Sequence, residues 1–169
     1  MTVVREIMTA PVVTLQEDMT LHDATVAMAR KKVSGAPVLD AKGRLVGVLS
    51  EADILELAVE KVGTDLECPS LSLAALPYER IVRDEAVCRK YRQVGEAKVE
   101  KAMNDEIVTV SADDPVEKAL ETMIRFGVNR LPVVENEKLV GIVTRQDLLW
   151  SVCRAMEEQG KKGVCYQFA

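Results

Sequence analysis

The chain repeats itself. A shift of 95 residues lays Met8-Thr9-Ala10-Pro11-Val12-Val13-Thr14-Leu15 on Met103-Asn104-Asp105-Glu106-Ile107-Val108-Thr109-Val110. The register continues through Ala24 on Ala119, Met28 on Met123, Arg30 on Arg125, Val33 on Val128, and Pro37-Val38 on Pro132-Val133. One residue is then lost in a turn and the shift becomes 94, with Leu45-Val46-Gly47 on Leu139-Val140-Gly141 and Asp53 on Asp147. Self-similarity at a fixed period means that one supersecondary unit is built twice, and it constrains the fold before any single element is read.

Each copy reads as strand, helix, strand, strand, helix, which makes the chain an α+β protein of two β-α-β-β-α repeats. Val12 to Leu15 and Ile107 to Val110 are short β-branched runs, expected as strands. The helix that follows carries apolar residues at three- and four-residue spacing: Val116, Ala119, Leu120, Met123 and Ile124 in the second repeat, and Leu21, Ala24 and Met28 in the first. Asp114 and Pro115 are the expected N-cap and first helical residue. Strands are expected over Ala36 to Leu39 and Leu45 to Leu49, joined by Asp40-Ala41-Lys42-Gly43-Arg44, with Leu131 to Val134 and Leu139 to Val143 as their counterparts. The closing helices start near Glu51 and Arg145. A repeat of about 50 residues buries too little apolar surface to stand alone. The two copies are therefore expected to pack about a pseudo-twofold axis, with a ligand cleft between them.

The organisation predicted is residues 1–60 for the first repeat, 61–96 for an insert, 97–158 for the second repeat and 159–169 for a tail. The insert holds six basic and six acidic residues. Leu66 to Leu76 reads as loop. A helix is expected from Pro77, with Tyr78, Ile81, Cys88 and Tyr91 near one face and acids interleaved among its bases, the pattern of a solvated surface. Gly160 and Gly163 are expected to end the last helix.

Composition removes several classes of function. No run of eighteen uncharged apolar residues is present to span a membrane. The sequence from Met1 has no basic stretch followed by an apolar block, so a secretory leader is not expected and the location implied is cytoplasmic. A net charge of −5 argues against a general nucleic-acid binder. The cysteines at 68, 88, 153 and 165 include no Cys-x-x-Cys pair and are expected as buried or free thiols. With one histidine, no metal site is expected. That histidine, His22, is expected on a solvent-facing helix start, and no Gly-rich phosphate loop is present, so catalysis is not expected.

After its third strand each repeat carries a glycine, a hydroxyl and an acid at one spacing: Gly47-Val48-Leu49-Ser50-Glu51-Ala52-Asp53 and Gly141-Ile142-Val143-Thr144-Arg145-Gln146-Asp147. The hydroxyl falls where strand gives way to helix and the acid lies one turn on. Two roles fit. Ser50 and Thr144 are good N-caps, and an acid three residues later completes a capping box. A helix N-terminus also suits a phosphate, and a carboxylate one turn in can accept bonds from the vicinal hydroxyls of a ribose. Arg145 and Arg130 supply cations in the second repeat, where the first has Glu51 and Gly35. The second repeat is therefore the better anion site by composition, partly offset by Asp105 and Glu106.

These motifs resemble a tandem pair of CBS (cystathionine β-synthase) domains, a Bateman module, over residues 3–59 and 97–152. They include Met-Thr near the start, Val-Ser-Gly-Ala-Pro-Val, and the Gly-h-h-Ser/Thr-x-x-Asp segment present twice. By this resemblance Asp53 and Asp147 hold ribose, while Ser50 and Thr144 approach phosphate. The adenine contacts implied are Thr9, Ala10, Pro11 and Val12 with Val33, Ser34, Ala36 and Pro37 in one repeat. In the other they are Asn104, Ile107, Val128, Asn129 and Leu131, with Pro132 also nucleotide-binding and Arg130 and Arg145 as the cations for phosphate.

The function implied is a regulatory module. It would sense an adenine nucleotide (AMP, ADP or ATP) in the cleft, need no other cofactor, form a homodimer and act on a separate effector protein. The alternatives are a constitutive dimerisation scaffold whose Ser and Asp are caps only, and a module for S-adenosylmethionine.

Overall fold

A computed structural model of the chain describes residues 2–60, 92 and 94–158. The predicted loop and helix of the insert and the predicted end of the tail lie outside them, as do Cys68, Cys88 and Cys165. In chain order the elements are α1 (Val4–Ile7), β1 (Leu15–Gln16), α2 (Leu21–Lys31), β2 (Gly35–Leu39), β3 (Leu45–Ser50) and α3 (Glu51–Glu60). A 3-10 turn (Val99–Lys101) follows, then α4 (Val116–Phe126), β4 (Arg130–Glu135), β5 (Lys138–Thr144) and α5 (Arg145–Glu158). The mixed α+β order is present in both repeats.

The compact units cut across the repeat register. Val13–Ile107 forms one, and the residues before Val13 join those from Val108 onward in the other. Each has its own apolar core.

In the Val13–Ile107 unit, β1 runs parallel to β2, and β2 is antiparallel to β3 with Ala36 opposite Leu49. The predicted first strand is thus shortened to two paired residues, because only Leu15 and Gln16 reach the β2 ladder. Leu21, Ala24 and Met28 of α2 are all buried, as their spacing requires. Thr20 caps that helix, accepting from Asp23 N–H at 3.1 Å. Ile54 and Ala58 of α3 close the core, together with Val94 from the end of the predicted insert and Val99 from beyond it. The latter stretch is tied down by Leu21 N–H to the Ala97 carbonyl (2.8 Å) and Val99 N–H to the Met19 carbonyl (2.9 Å).

The β2–β3 loop is organised by Asp40, which is 7% exposed. Its Oδ1 accepts the Lys42 and Arg44 amides at 2.9 and 2.8 Å, and its Oδ2 accepts Arg44 Nε at 2.7 Å. The Arg44 amide holds this carboxyl below its usual pKa; burial opposes that, and the Arg44 guanidinium and Lys42 amide reinforce it. A carboxyl with a depressed folded pKa stabilises the fold above its unfolded pKa of about 4, and that contribution is lost as pH falls through the folded value. Asp40→Asn is therefore expected to lower the melting temperature at pH 7 and to flatten its fall on acidification below about pH 4. Parallel melting curves for parent and variant across pH 2–7 would show the assignment wrong.

In the other unit, β4 and β5 form an antiparallel pair with Leu131 opposite Val143. Asn136 and Glu137 (φ 47° and 63°) make a two-residue turn, one residue pair tighter than the four-residue loop expected, and the primed turn geometry matches the strand twist. The predicted strand over Ile107 to Val110 contributes a single bridge, Val110 to Val133. Pro115, not Asp114, occupies the N-cap position of α4, without a side-chain cap. Asp114 instead accepts the Ser111 amide (2.9 Å) and pairs with Lys118 Nζ (2.8 Å). Burial works to raise the Asp114 pKa, but Lys118 and the Ser111 amide outweigh it and hold it low.

The apolar stripe of α4 divides. Val116, Ala119 and Met123 are buried, while Leu120 and Ile124 are 43% and 70% exposed. At 3.6 residues per turn those two lie round the flank of the helix, beyond the sheet's cover. Phe126, Leu149, Trp150 and Val152 are also exposed, so the apolar surface of α4 and α5 is more than a scattering of single residues. The segment before Val13 completes this unit. Val4 and Arg5 amides donate to the Asp114 and Ala112 carbonyls at 2.9 and 2.8 Å, Val4 is fully buried, and Arg5 pairs with Asp113 and Glu135. Cys153 is a half-buried free thiol.

Candidate functional site

Both strand-to-helix turns close in the same way. Ser50 ends β3 and Thr144 ends β5, and the next residue begins a helix. Asp53 Oδ2 accepts the Ser50 amide at 2.7 Å and the Ser50 hydroxyl at 2.6 Å. Asp147 Oδ2 accepts the Thr144 amide and hydroxyl, each at 2.7 Å. The hydroxyls in turn accept the Asp53 and Asp147 amides at 3.3 and 3.4 Å. Each is a reciprocal capping box. The first helical amide is also engaged in both, Glu51 N–H to the Ser34 carbonyl and Arg145 N–H to the Asn129 carbonyl, both at 3.1 Å. This second bond fastens the residue before β2 or β4 to the start of the closing helix. All four box residues are half-buried, so the turns reach solvent.

The segments preceding the first strands are exchanged relative to the repeats. Thr9 sits against β5 of the second repeat, its amide donating to the Ile142 carbonyl (2.8 Å) and its carbonyl accepting the Ile142 amide (3.1 Å). Asn104 sits against β3 of the first repeat by the same pair of bonds to Val48, at 2.9 and 3.0 Å. Glycine makes both seatings possible. A Cβ on Gly47 would lie 2.5 Å from Met103 Sδ and 3.1 Å from the Asn104 carbonyl oxygen, and one on Gly141 would collide with Met8 Sδ.

The predicted residues therefore regroup. Thr9, Ala10, Pro11 and Val12 belong with Val128, Asn129, Arg130, Leu131, Pro132, Thr144, Arg145 and Asp147. Asn104 and Ile107 belong with Val33, Ser34, Ala36, Pro37, Ser50 and Asp53. The expectation that Asp105 and Glu106 offset Arg130 and Arg145 is corrected by the same finding. These acids follow Asn104 within the Val13–Ile107 unit, whereas Arg130 and Arg145 belong to the other, and Glu106 N–H is bonded to Asn104 Oδ1 at 2.9 Å. Ala36, Pro37, Leu131 and Pro132 are buried in their strands, and Ala36 and Leu131 sit in the cores. These four can meet a ligand through backbone only. Thr9, Ala10, Pro11, Ser34, Asn104 and Asn129 are exposed beside the turns.

A cavity of about 140 Å³ adjoins Asp53, lined by Glu56 and Leu57 of the same α3 face and by Lys101 and Ala102 from the 3-10 turn. Sequence reasoning missed Lys101. Its spacing two residues before Met103 is the available signal, once Met103 is known to seat on Gly47.

Two β-α-β-β-α repeats, each ending its third strand in a Gly-h-h-hydroxyl-x-x-Asp turn, define a tandem module. Residues 4–60 and 97–153 match the CBS domain family, and the chain belongs to it as a tandem pair. An uncharacterized protein of Methanocaldococcus jannaschii is 35% identical over 150 residues, which is 86% of this chain and 88% of that protein. The CBS domain of a CBS domain containing membrane protein from Sphaerobacter thermophilus is similar at 31% identity and TM-score 0.64, over 88% of this chain and 86% of that one. CBSX2, solved in complex with AMP, shares the fold at 23% identity and TM-score 0.66, over 92% and 98% of the two chains. Among the described residues of this chain, no helix is long and apolar enough to cross a membrane, and no group of three or more His, Cys, Asp or Glu residues is placed to hold a metal ion.

Proposed function

We propose that this chain is a non-enzymatic regulatory module that binds an adenine nucleotide at its strand-to-helix turns and passes the binding event to a separate effector protein. The observation that carries this reading is the pair of matching turns. Each sets a helix N-terminus, a hydroxyl and an aspartate at the solvent boundary, with an exposed segment alongside, Thr9 to Pro11 in one unit and Asn104 in the other. The helix end suits phosphate. The aspartate spends one oxygen on the box, and ribose hydroxyls can donate to the other. The exposed backbone and polar side chains beside the turn suit a purine edge. That CBSX2 of the same fold holds AMP supports the reading. Regulation follows if the ligand binds two arrangements of the module with different affinity, since only a differential interaction shifts an equilibrium.

A second copy of the chain is proposed to cover the exposed apolar face of α4 and α5, in a cytoplasmic homodimer. Calorimetric titration with AMP, ADP, ATP and S-adenosylmethionine, on protein whose mass is followed by sedimentation, tests the whole reading. Saturable binding by at least one compound to a dimer is expected, with about 2.7 kcal/mol of added stability at a hundredfold excess over Kd. A dimer that binds none of the four at millimolar concentration is a constitutive scaffold whose aspartates act only as caps. A monomer refutes the pairing.

A further inference from the structure

Two methionines hold equivalent places in the exchanged segments. Met8 precedes Thr9 and Met103 precedes Asn104, and each is half-buried and packed against the apolar core of its own unit. Each lays its sulfur over a glycine. A Cβ on Gly47 would stand 2.5 Å from Met103 Sδ and 3.0 Å from its Cγ, and one on Gly141 would stand 3.0 Å from Met8 Cγ with Sδ closer still. The thioether thus fills the place that a strand side chain would have taken. The segment behind each sulfur is held by a pair of main-chain bonds, Thr9 to Ile142 and Asn104 to Val48. Met28 and Met123, on α2 and α4, are each 1% exposed and closed to solutes. Met19 is half-buried, and its sulfur accepts the Gln16 amide at 3.3 Å.

We propose that Met8 and Met103 are paired oxidation sites through which a hydroperoxide loosens the Thr9 and Asn104 segments. The step is a two-electron oxidation of sulfur. A thioether lone pair attacks the terminal peroxide oxygen, an S–O bond forms and the O–O bond breaks. The proton passes to the leaving oxygen, which departs as water or an alcohol, so sulfur is oxidised to the sulfoxide and the peroxide is reduced. The product is polar and one oxygen larger. Kept over the core, that oxygen loses its bonds to water, and burying it so is unfavourable. Swung into solvent, it takes with it the side chain that seats the segment on the glycine. Both outcomes weaken the same main-chain bonds. The site is doubled because the repeat is, so one oxidant acts on both units. The oxidation stands apart from the nucleotide reading. Its consequence, weaker ligand binding at both turns, rests on that reading.

Dilute hydrogen peroxide is the probe. Peptide masses locate the added oxygen, and hydrogen–deuterium exchange follows the segments with no nucleotide present. Met8 and Met103 should oxidise at least about tenfold faster than Met28 and Met123, since access governs the rate. The Thr9 and Asn104 amides should then exchange about tenfold faster or more, the scale set by one buried polar group without a partner. Methionine sulfoxide reductases for both sulfoxide epimers should restore them. A Met8→Leu/Met103→Leu protein keeps the apolar packing and Met19, and its Thr9 and Asn104 amides should ignore peroxide. Should that protein fail to fold, each single leucine variant should silence its own segment and leave the other responsive. Oxidised Met8 and Met103 with unchanged exchange at Thr9 and Asn104 overturns the proposal, and so does a full response in the leucine variants. Nucleotide binding that survives release of both segments counts against the nucleotide reading alone.

Discussion

Gly47→Val is expected to lower the stability of the Val13–Ile107 unit by about 3 kcal/mol, the upper part of the range for forcing atoms into a packed site. The position has no room. The first added carbon meets Met103 Sδ at 2.5 Å, and behind it the Asn104 carbonyl oxygen at 3.1 Å. A flexible methionine can swing away, but the oxygen belongs to a backbone held by two hydrogen bonds to Val48. Relief therefore requires peeling the segment off β3. Denaturant unfolding reads the loss, and Met103→Ala in the Gly47→Val background should recover only part of it, because the backbone obstruction remains. A change under about 0.5 kcal/mol, the scale of a neutral surface substitution, would mean that Met103 does not sit on Gly47. The segment also holds Asn104 against Val48, two residues before Ser50, so the ligand binding proposed for that turn should weaken together with stability.

The second large effect concerns two cross-strand pairs that fill equivalent space differently. Ala36 faces Leu49 in one unit, and Leu131 faces Val143 in the other. All four are buried, at 1%, 0%, 0% and 0% exposure. Aligned by the repeat, Ala36 corresponds to Leu131 and Leu49 to Val143, so the small partner has changed strands. Leu131→Ala should cost about 3–4 kcal/mol, the transfer loss plus the cavity left behind. Adding Val143→Leu rebuilds the Ala–Leu arrangement of the other unit and should return about 1 kcal/mol, the value of roughly one buried methylene. A double-mutant cycle measures this directly. Strict additivity would show that the two positions do not share one space.

Much of the fold was legible. The closing helices begin at Glu51 and Arg145 as the hydroxyl–acid spacing implies, because a capping box is a local device written in four consecutive residues. The Leu21, Ala24, Met28 stripe was legible because helical periodicity reports one face against one core. What remained hidden was partnership. β-Branched runs such as Val12 to Leu15 mark extended chain, but only Leu15 and Gln16 found a ladder, so composition overstated the strand. The exchange of the Thr9 and Asn104 segments leaves no trace in periodicity, which locates faces and not neighbours. Its one sequence signal is Gly47 and Gly141 inside apolar strands, where a glycine marks close approach by another part of the chain. Leu120 and Ile124 were expected in the stripe because apolarity alone does not separate a face toward a core from one toward another molecule.

Thr9 must find Ile142, so the two ends of one hydrogen-bonded pair leave the ribosome roughly 7 to 27 seconds apart at typical rates of synthesis. The Val13–Ile107 unit has no such wait, being contiguous. During translation it can be complete while the segment ahead of it still dangles, carrying Val4 and Met8 with nothing to cover them. A newborn chain is thus half-folded by construction, and the apolar residues of that segment wait uncovered until Val108 onward has been made.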